Sequence, residues 1–189
     1  MNYYLLGFII IAIIILLIII ITRKKEIPIV EAPLKMPLVG EDLYKIKYIE
    51  IKNTNYNLEL VEVEVFDENG LNIATQGNTI QSSTMVDTRD TYTYNAEYAV
   101  DGKFLIEHVA GTPHGFSSTN AEKDNWWRLE LKEPTSITKI ILTLRDDMPD
   151  LTYKLNGGKI SFMNANNELV KDFIIDTGSM QVNKLAFEL

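Results

Sequence analysis

The chain has 189 residues and a formal net charge of −8, with two histidines and no cysteine. An acidic surface argues against nucleic-acid phosphates and against close contact with anionic lipid. The lack of cysteine removes thiol nucleophiles, thiolate metal sites and disulfides, and it suits a cytosolic or intracellular face.

Residues 5–21 read LLGFIIIAIIILLIIII, with no charged side chain. With the flanking residues, the stretch 3–22 reaches the roughly 20 positions needed to cross a bilayer. The basic n-region and small-residue cleavage site of a signal peptide are missing. Residues 1–25 are therefore expected to form a single transmembrane anchor. Arg23, Lys24 and Lys25 follow the apolar run directly, and no Lys or Arg precedes it. The positive-inside rule then puts the following domain on the cytoplasmic or particle-interior side.

Residues 26–42, EIPIVEAPLKMPLVGED, contain Pro28, Pro33 and Pro37 and are expected to be an extended linker. The four basic and four acidic residues before Leu43 cancel, so the whole net charge belongs to residues 43–189. That length suits one domain with a true core.

The domain reads as all-β. YKIKYIEIKN (44–53) is rich in Ile and Tyr. In ELVEVEVFDENG (59–70), Val61, Val63 and Val65 alternate with Glu62 and Glu64, the pattern of a half-buried antiparallel strand with the glutamates outward. Asp67 to Gly70 supply turn chemistry. A long polar region from Gln81 to Asn125 shows little periodicity, except that AEYAVDGKF (96–104) suggests a short helical turn running into a tight Asp-Gly turn. Loops longer than about 15 residues are uncommon unless functional or pinned by something.

Strands resume with NWWRLEL (125–131), where Trp126 and Trp127 must point to opposite faces. In SITKIILTLR (136–145), Ile137, Ile140, Leu142 and Leu144 share a core face, while Lys139, Ile141, Thr143 and Arg145 look away. GGKISFMNANNELV (157–170) reads as strand, Asn-rich turn and strand start, and KDFIIDT and KLAFEL close the chain. Many short strands between polar turns make an antiparallel β-sandwich the natural class.

Several of these stretches, in this order, resemble the discoidin or coagulation factor 5/8 type C family of galactose-binding-like domains. QSST (81–84) is similar to its serine pair, AEYAVDG (96–102) to its Ala-x-x-Ala-x-Asp-Gly turn, and NWWRLEL to its Trp-Trp strand. ITKIILTLRDD is similar to its Arg-x-Asp strand end, and LNGGKISFMNANNELV to its later hairpin. The opening of the domain resembles the fucose-lectin-like branch and its microbial and large-virus relatives.

The resemblance implies a jelly-roll sandwich in which Trp127 packs and Trp126 is the more open of the pair. It also implies a structural calcium ion, held by Asp101, carbonyls near Tyr98 and Lys103, a hydroxyl from Ser117, Ser118 or Thr119 (Ser118 foremost), and Glu188. Such a set suits calcium, which takes six to eight oxygens. The plainer alternative has Asp101 capping its own turn and Glu188 as an ordinary strand residue.

For a glycan the resemblance implies a site built from Trp126, Arg145, Asp147, Lys154 and His114. The lectin pattern is broken here: Asn120 stands where its histidine belongs and Thr152 where its second basic residue belongs. Arg145 paired with Asp147 is the alternative without a ligand. Some relatives of that family expose apolar loop tips to anionic lipid, and Phe116 and Met148 are the candidates for this here, but the acidic domain argues against that mode.

Catalysis has little support. His108 and His114 are six residues apart and show no ligand pattern. The expectation is a membrane-anchored, non-enzymatic binding or structural module. Its neighbours would be structural proteins, with a large DNA virus particle as the setting that resemblance and composition suggest, or else glycans bound with calcium.

Overall fold

The computed structural model describes residues 43–53, 55–88, 92–104, 115–145, 147, 153–177 and 183–189. The expected anchor (1–25) and linker (26–42) lie outside the described residues, as do His108, His114, Asp146, Met148 and Thr152. Among the described residues no helix is long and apolar enough to cross a membrane.

The strands are β1 (Ile46–Asn53), β2 (Glu59–Leu60), β3 (Glu62–Asp67), β4 (Asn78–Gln81), β5 (Val86–Asp87), β6 (Tyr92–Thr93), β7 (Ser117–Ser118), β8 (Asn125–Thr135), β9 (Ile137–Thr143), β10 (Lys159–Met163), β11 (Leu169–Ile174) and β12 (Lys184–Glu188). Described helix is confined to short 3-10 turns, chiefly Ala74–Gln76 and Ala96–Val100. One antiparallel sheet has the order β11-β10-β1-β8-β4, and a second has the order β12-β9-β3. β2 pairs with β7 and β5 with β6. The class is all-β, as the alternation predicts.

The core forms where the apolar faces of the two sheets meet. Ile49, Ile51, Trp127, Leu129, Ile160 and Phe162 enter from the larger sheet, and Val63, Val65, Ile140 and Leu142 from the smaller one. All of these are fully buried. On one side the turn Ala96–Val100 packs on both β3 and β4, and Ala96, Ala99 and Val100 join the core. On the other side Phe173 of β11 meets Phe187 of β12, with ring centroids 5.3 Å apart.

The tryptophan pair divides between the faces of β8. Trp127 is 0 % exposed, and its Nε1 donates to the Ala96 carbonyl at 3.0 Å. Trp126 lies half-buried on the outer face, opposite Lys52 of β1.

One expectation about the faces fails. Glu62 and Thr143 have the predicted parity, on the outer face of the smaller sheet, yet they are 0 % and 5 % exposed. They are register partners across β3 and β9. The chain following Ala96–Val100 reaches this face, since Gly102 donates its N–H to Glu62 Oε1 at 3.2 Å. Alternation assigns a side chain to a face but carries no information about what covers that face.

Candidate functional site

At one end of the sandwich, two asparagines fasten the loops. Asn53 ends β1 and Asn125 begins β8, and they are register partners. Asp124, just before, takes a left-handed φ of 59°, a conformation Asp tolerates better than most residues. The Asn125 amide Nδ2 donates to the carbonyls of Tyr56 (2.9 Å), Asn120 (3.0 Å) and Glu122 (2.8 Å). Two hydrogens thus serve three acceptors. Its Oδ1 accepts from Ser82 Oγ at 3.3 Å. Asn53 Nδ2 donates to the Lys154 carbonyl at 2.8 Å, and Thr119 Oγ1 accepts from the Leu58 N–H at 2.9 Å. Sequence reasoning missed this hub. Its only trace is a polar residue at a core-parity position of a strand.

Beside the hub lies Arg145, just past β9, with its side chain 11 % exposed. Nε and Nη2 donate to Asp147 Oδ1 (3.0 Å) and Oδ2 (2.6 Å), and Nη1 donates to Glu59 Oε1 (3.2 Å). The guanidinium also lies over the Phe116 ring, 4.4 Å from its centroid. Burial works against the charge, but Asp147 and Glu59 outweigh it and hold the Arg145 pKa above its ordinary value. Phe116, a candidate lipid-facing tip, is instead buried against Val61 and Tyr94.

Lys154 donates from Nζ to Asn57 Oδ1 at 3.1 Å. Next to it Tyr153 meets Tyr56 edge-on at 5.7 Å, and both rings are exposed. Arg145 and Asp147 are therefore brought together as expected, and Lys154 joins the same loop end. Trp126 departs from them, onto the outer face of the five-stranded sheet.

No family model matches the chain, and no curated protein or solved structure matches it significantly.

The residues expected around a cation do not converge. Asp101 Oδ1 accepts from the Lys103 N–H at 3.0 Å, and Asp101 Oδ2 pairs with Lys103 Nζ at 3.2 Å. Asp101 thus caps its own turn, at a Gly102 with φ of 78°. Tyr98 lies within the 3-10 turn. Ser118 is fully buried in β7, and its hydroxyl donates to the Thr119 carbonyl at 3.2 Å.

Glu188 lies apart from Asp101. Gly102 is tied to Glu62, which is opposite Thr143, and Thr143 is opposite Lys184. Glu188 is four residues further along β12, about 13 Å away at strand rise. There it is register partner to Lys139, 3.9 Å from that ammonium and 74 % exposed. Asp101 and Glu188 thus sit towards opposite ends of the smaller sheet. Among the described residues no group of three or more His, Asp or Glu side chains is placed to hold a metal.

The outer face of the larger sheet is organised differently. Glu50, at its centre, accepts from Arg128 Nη2 (2.6 Å) and pairs with Lys52 Nζ (2.9 Å). Burial alone would raise the Glu50 pKa, but hydrogen bonds from Lys52 and Arg128, and their charges, hold it below its ordinary value. Registers across the strands align Ile80, Arg128, Glu50, Ser161 and Asp172 in one row. Trp126, Lys52, Lys159 and Ile174 form the next row, and Ile80 and Ile174 are exposed.

Arg145→Ala is expected to lower stability by about 2 kcal/mol, because it leaves Glu59 and Asp147 facing each other without their shared cation. Arg145→Lys should recover only part of this, since an ammonium cannot make the forked contact or stack on Phe116. Denaturant titration of the three proteins measures both effects.

Proposed function

We propose that the chain is a membrane-anchored, non-enzymatic binding or structural module. In this reading a jelly-roll sandwich of the discoidin type is held on a bilayer by residues 3–22, on the cytoplasmic or particle-interior side. It docks neighbouring proteins, as a membrane or minor structural protein of a large DNA virus particle would.

The observation that carries this reading is the commitment of Arg145. A sugar site needs polar groups free to meet hydroxyls. Here the basic residue on which sugar binding depends is engaged by two carboxylates and by the Phe116 ring. Trp126, the other expected sugar contact, lies instead beside Arg128 on a sheet face. Half-buried aromatic and arginine side chains on such a face are the usual anchors of protein interfaces.

Carbohydrate binding is the second reading. It is favoured by the exposed Tyr56 and Tyr153 rings beside Lys154 and Asn57.

The test is a photo-crosslinking side chain at position 126 of the full-length chain, in its native membranes or particles. A discrete protein adduct is expected, absent when the probe is moved to the exposed Leu71. No adduct at 126, together with retention of the chain on a glycan surface that Arg145→Ala abolishes, would overturn the docking reading in favour of the second.

A further inference from the structure

The covered face of the smaller sheet holds a group that neither reading uses. Glu62 is 0 % exposed. Its Oε1 accepts the Gly102 N–H at 3.2 Å, while its Oε2 has no hydrogen-bond partner among the described residues. Directly opposite in register, the Thr143 hydroxyl is also buried and without a partner among the described residues. A buried carboxylate with an unsatisfied oxygen is strongly disfavoured as an anion, whereas a neutral carboxyl needs far less solvation.

The charged groups around Glu62 can be traced element by element among the described residues. On its own strand Glu64 lies two residues along, on the same face. From the covering turn come Asp101, and Lys103 with its ammonium paired to Asp101. Just past β9, Arg145 is two residues beyond Thr143 but is engaged by Glu59 and Asp147. From β12 comes Lys184, opposite Thr143, with its ammonium 5.0 Å from the centre of the Phe104 ring. Two nearby acids thus disfavour a charge on Glu62, and each of the nearby cations is already engaged elsewhere.

We propose that Glu62 is a proton-operated latch: as the neutral acid it holds the Asp101–Phe104 turn against the smaller sheet, and on losing its proton to solvent it releases that turn. The Gly102 N–H is the described tie between the carboxyl and the turn, and on its own it favours the anion; what works to open the turn once Glu62 is ionised is the unsolvated charge at the buried carboxylate. Moving the turn aside is the direct way to admit water to an ionised Glu62. The same movement would separate Phe104 from Lys184.

Burial, only partly offset by the Gly102 N–H and reinforced by Asp101 and Glu64, raises the Glu62 pKa from 4.5 to about 8. Between these values the unfolded chain has released the proton that the folded chain retains. The contribution of Glu62 to stability is therefore fully present below 4.5 and lost as pH rises through about 8.

The experiment follows amide exchange of the 101–104 segment in the full-length chain at about pH 6 and about pH 9, corrected for intrinsic exchange rates. Protection is expected to fall at least about tenfold at the higher pH. In Glu62→Gln, whose amide keeps the oxygen for Gly102 and carries no charge, protection should not change with pH. Unchanged protection in the wild type, or an equal fall in Glu62→Gln, overturns the latch. Should Glu62→Gln fail to fold, difference infrared spectroscopy of the wild type still decides. A protonated-carboxyl band present at the lower pH and lost at the higher, together with the exchange change, supports the latch, and its absence at the lower pH overturns it.

Discussion

Trp127→Ala is expected to lower the unfolding free energy by about 4 kcal/mol, the upper part of the range for large-to-small changes in a core. Three effects add. The indole is wholly buried between the two sheets, so its burial is lost. The space it leaves is bordered by strands already hydrogen-bonded on both sides and cannot easily close. The Ala96 carbonyl also loses its donor. Trp126→Ala, one residue away, should change stability by less than about 1 kcal/mol, because that side chain lies on the outer face. Urea denaturation of the two variants, followed by circular dichroism, measures the contrast. Similar losses at both positions would contradict the division of faces.

Asn125→Asp is the second large expectation, at about 3 kcal/mol near neutral pH, and it should exceed the loss from Asn125→Ala. Alanine merely leaves the Tyr56, Asn120 and Glu122 carbonyls without their donor. Aspartate is nearly isosteric, but it turns a donor into an acceptor and sets a buried anion against three carbonyl oxygens. Its pKa would be raised, since the neutral acid can donate one hydrogen bond and the anion none. The loss should therefore shrink as pH falls towards the ordinary aspartate range. A Tm measured against pH for the wild type and both variants would reveal this. An aspartate variant as stable as wild type at neutral pH would mean that the amide is not the fastener of these loops.

Much of the framework was legible in the alternation of side chains. Val63 and Val65 are buried as the pattern of β3 requires, and Ile140 and Leu142 as that of β9 requires. The same pattern put Glu62 and Thr143 outward, and only the fold reveals that both are buried and that Gly102 reaches Glu62. The Asn125 hub was not legible, because its acceptors come from positions 56, 120 and 122 and become neighbours only when β1 and β8 pair. The separation of Asp101 from Glu188 depends on strand register, which a sequence pattern alone does not specify. The pairing of Arg145 with Asp147 was the local part of the site and could be read from spacing. Its engagement by Glu59, 86 positions away, could not.

The order of strands in the larger sheet has a consequence for biogenesis. β1 is the first of the described strands to be made, yet it is the middle strand of five, and its neighbours β8 and β10 are separated from it by long stretches of chain. Its backbone cannot be satisfied on both sides until synthesis has passed Met163. One edge of β1 therefore stays unpaired until most of the domain has left the ribosome. Long-range pairing of this kind makes folding slow and leaves the chain exposed to aggregation meanwhile.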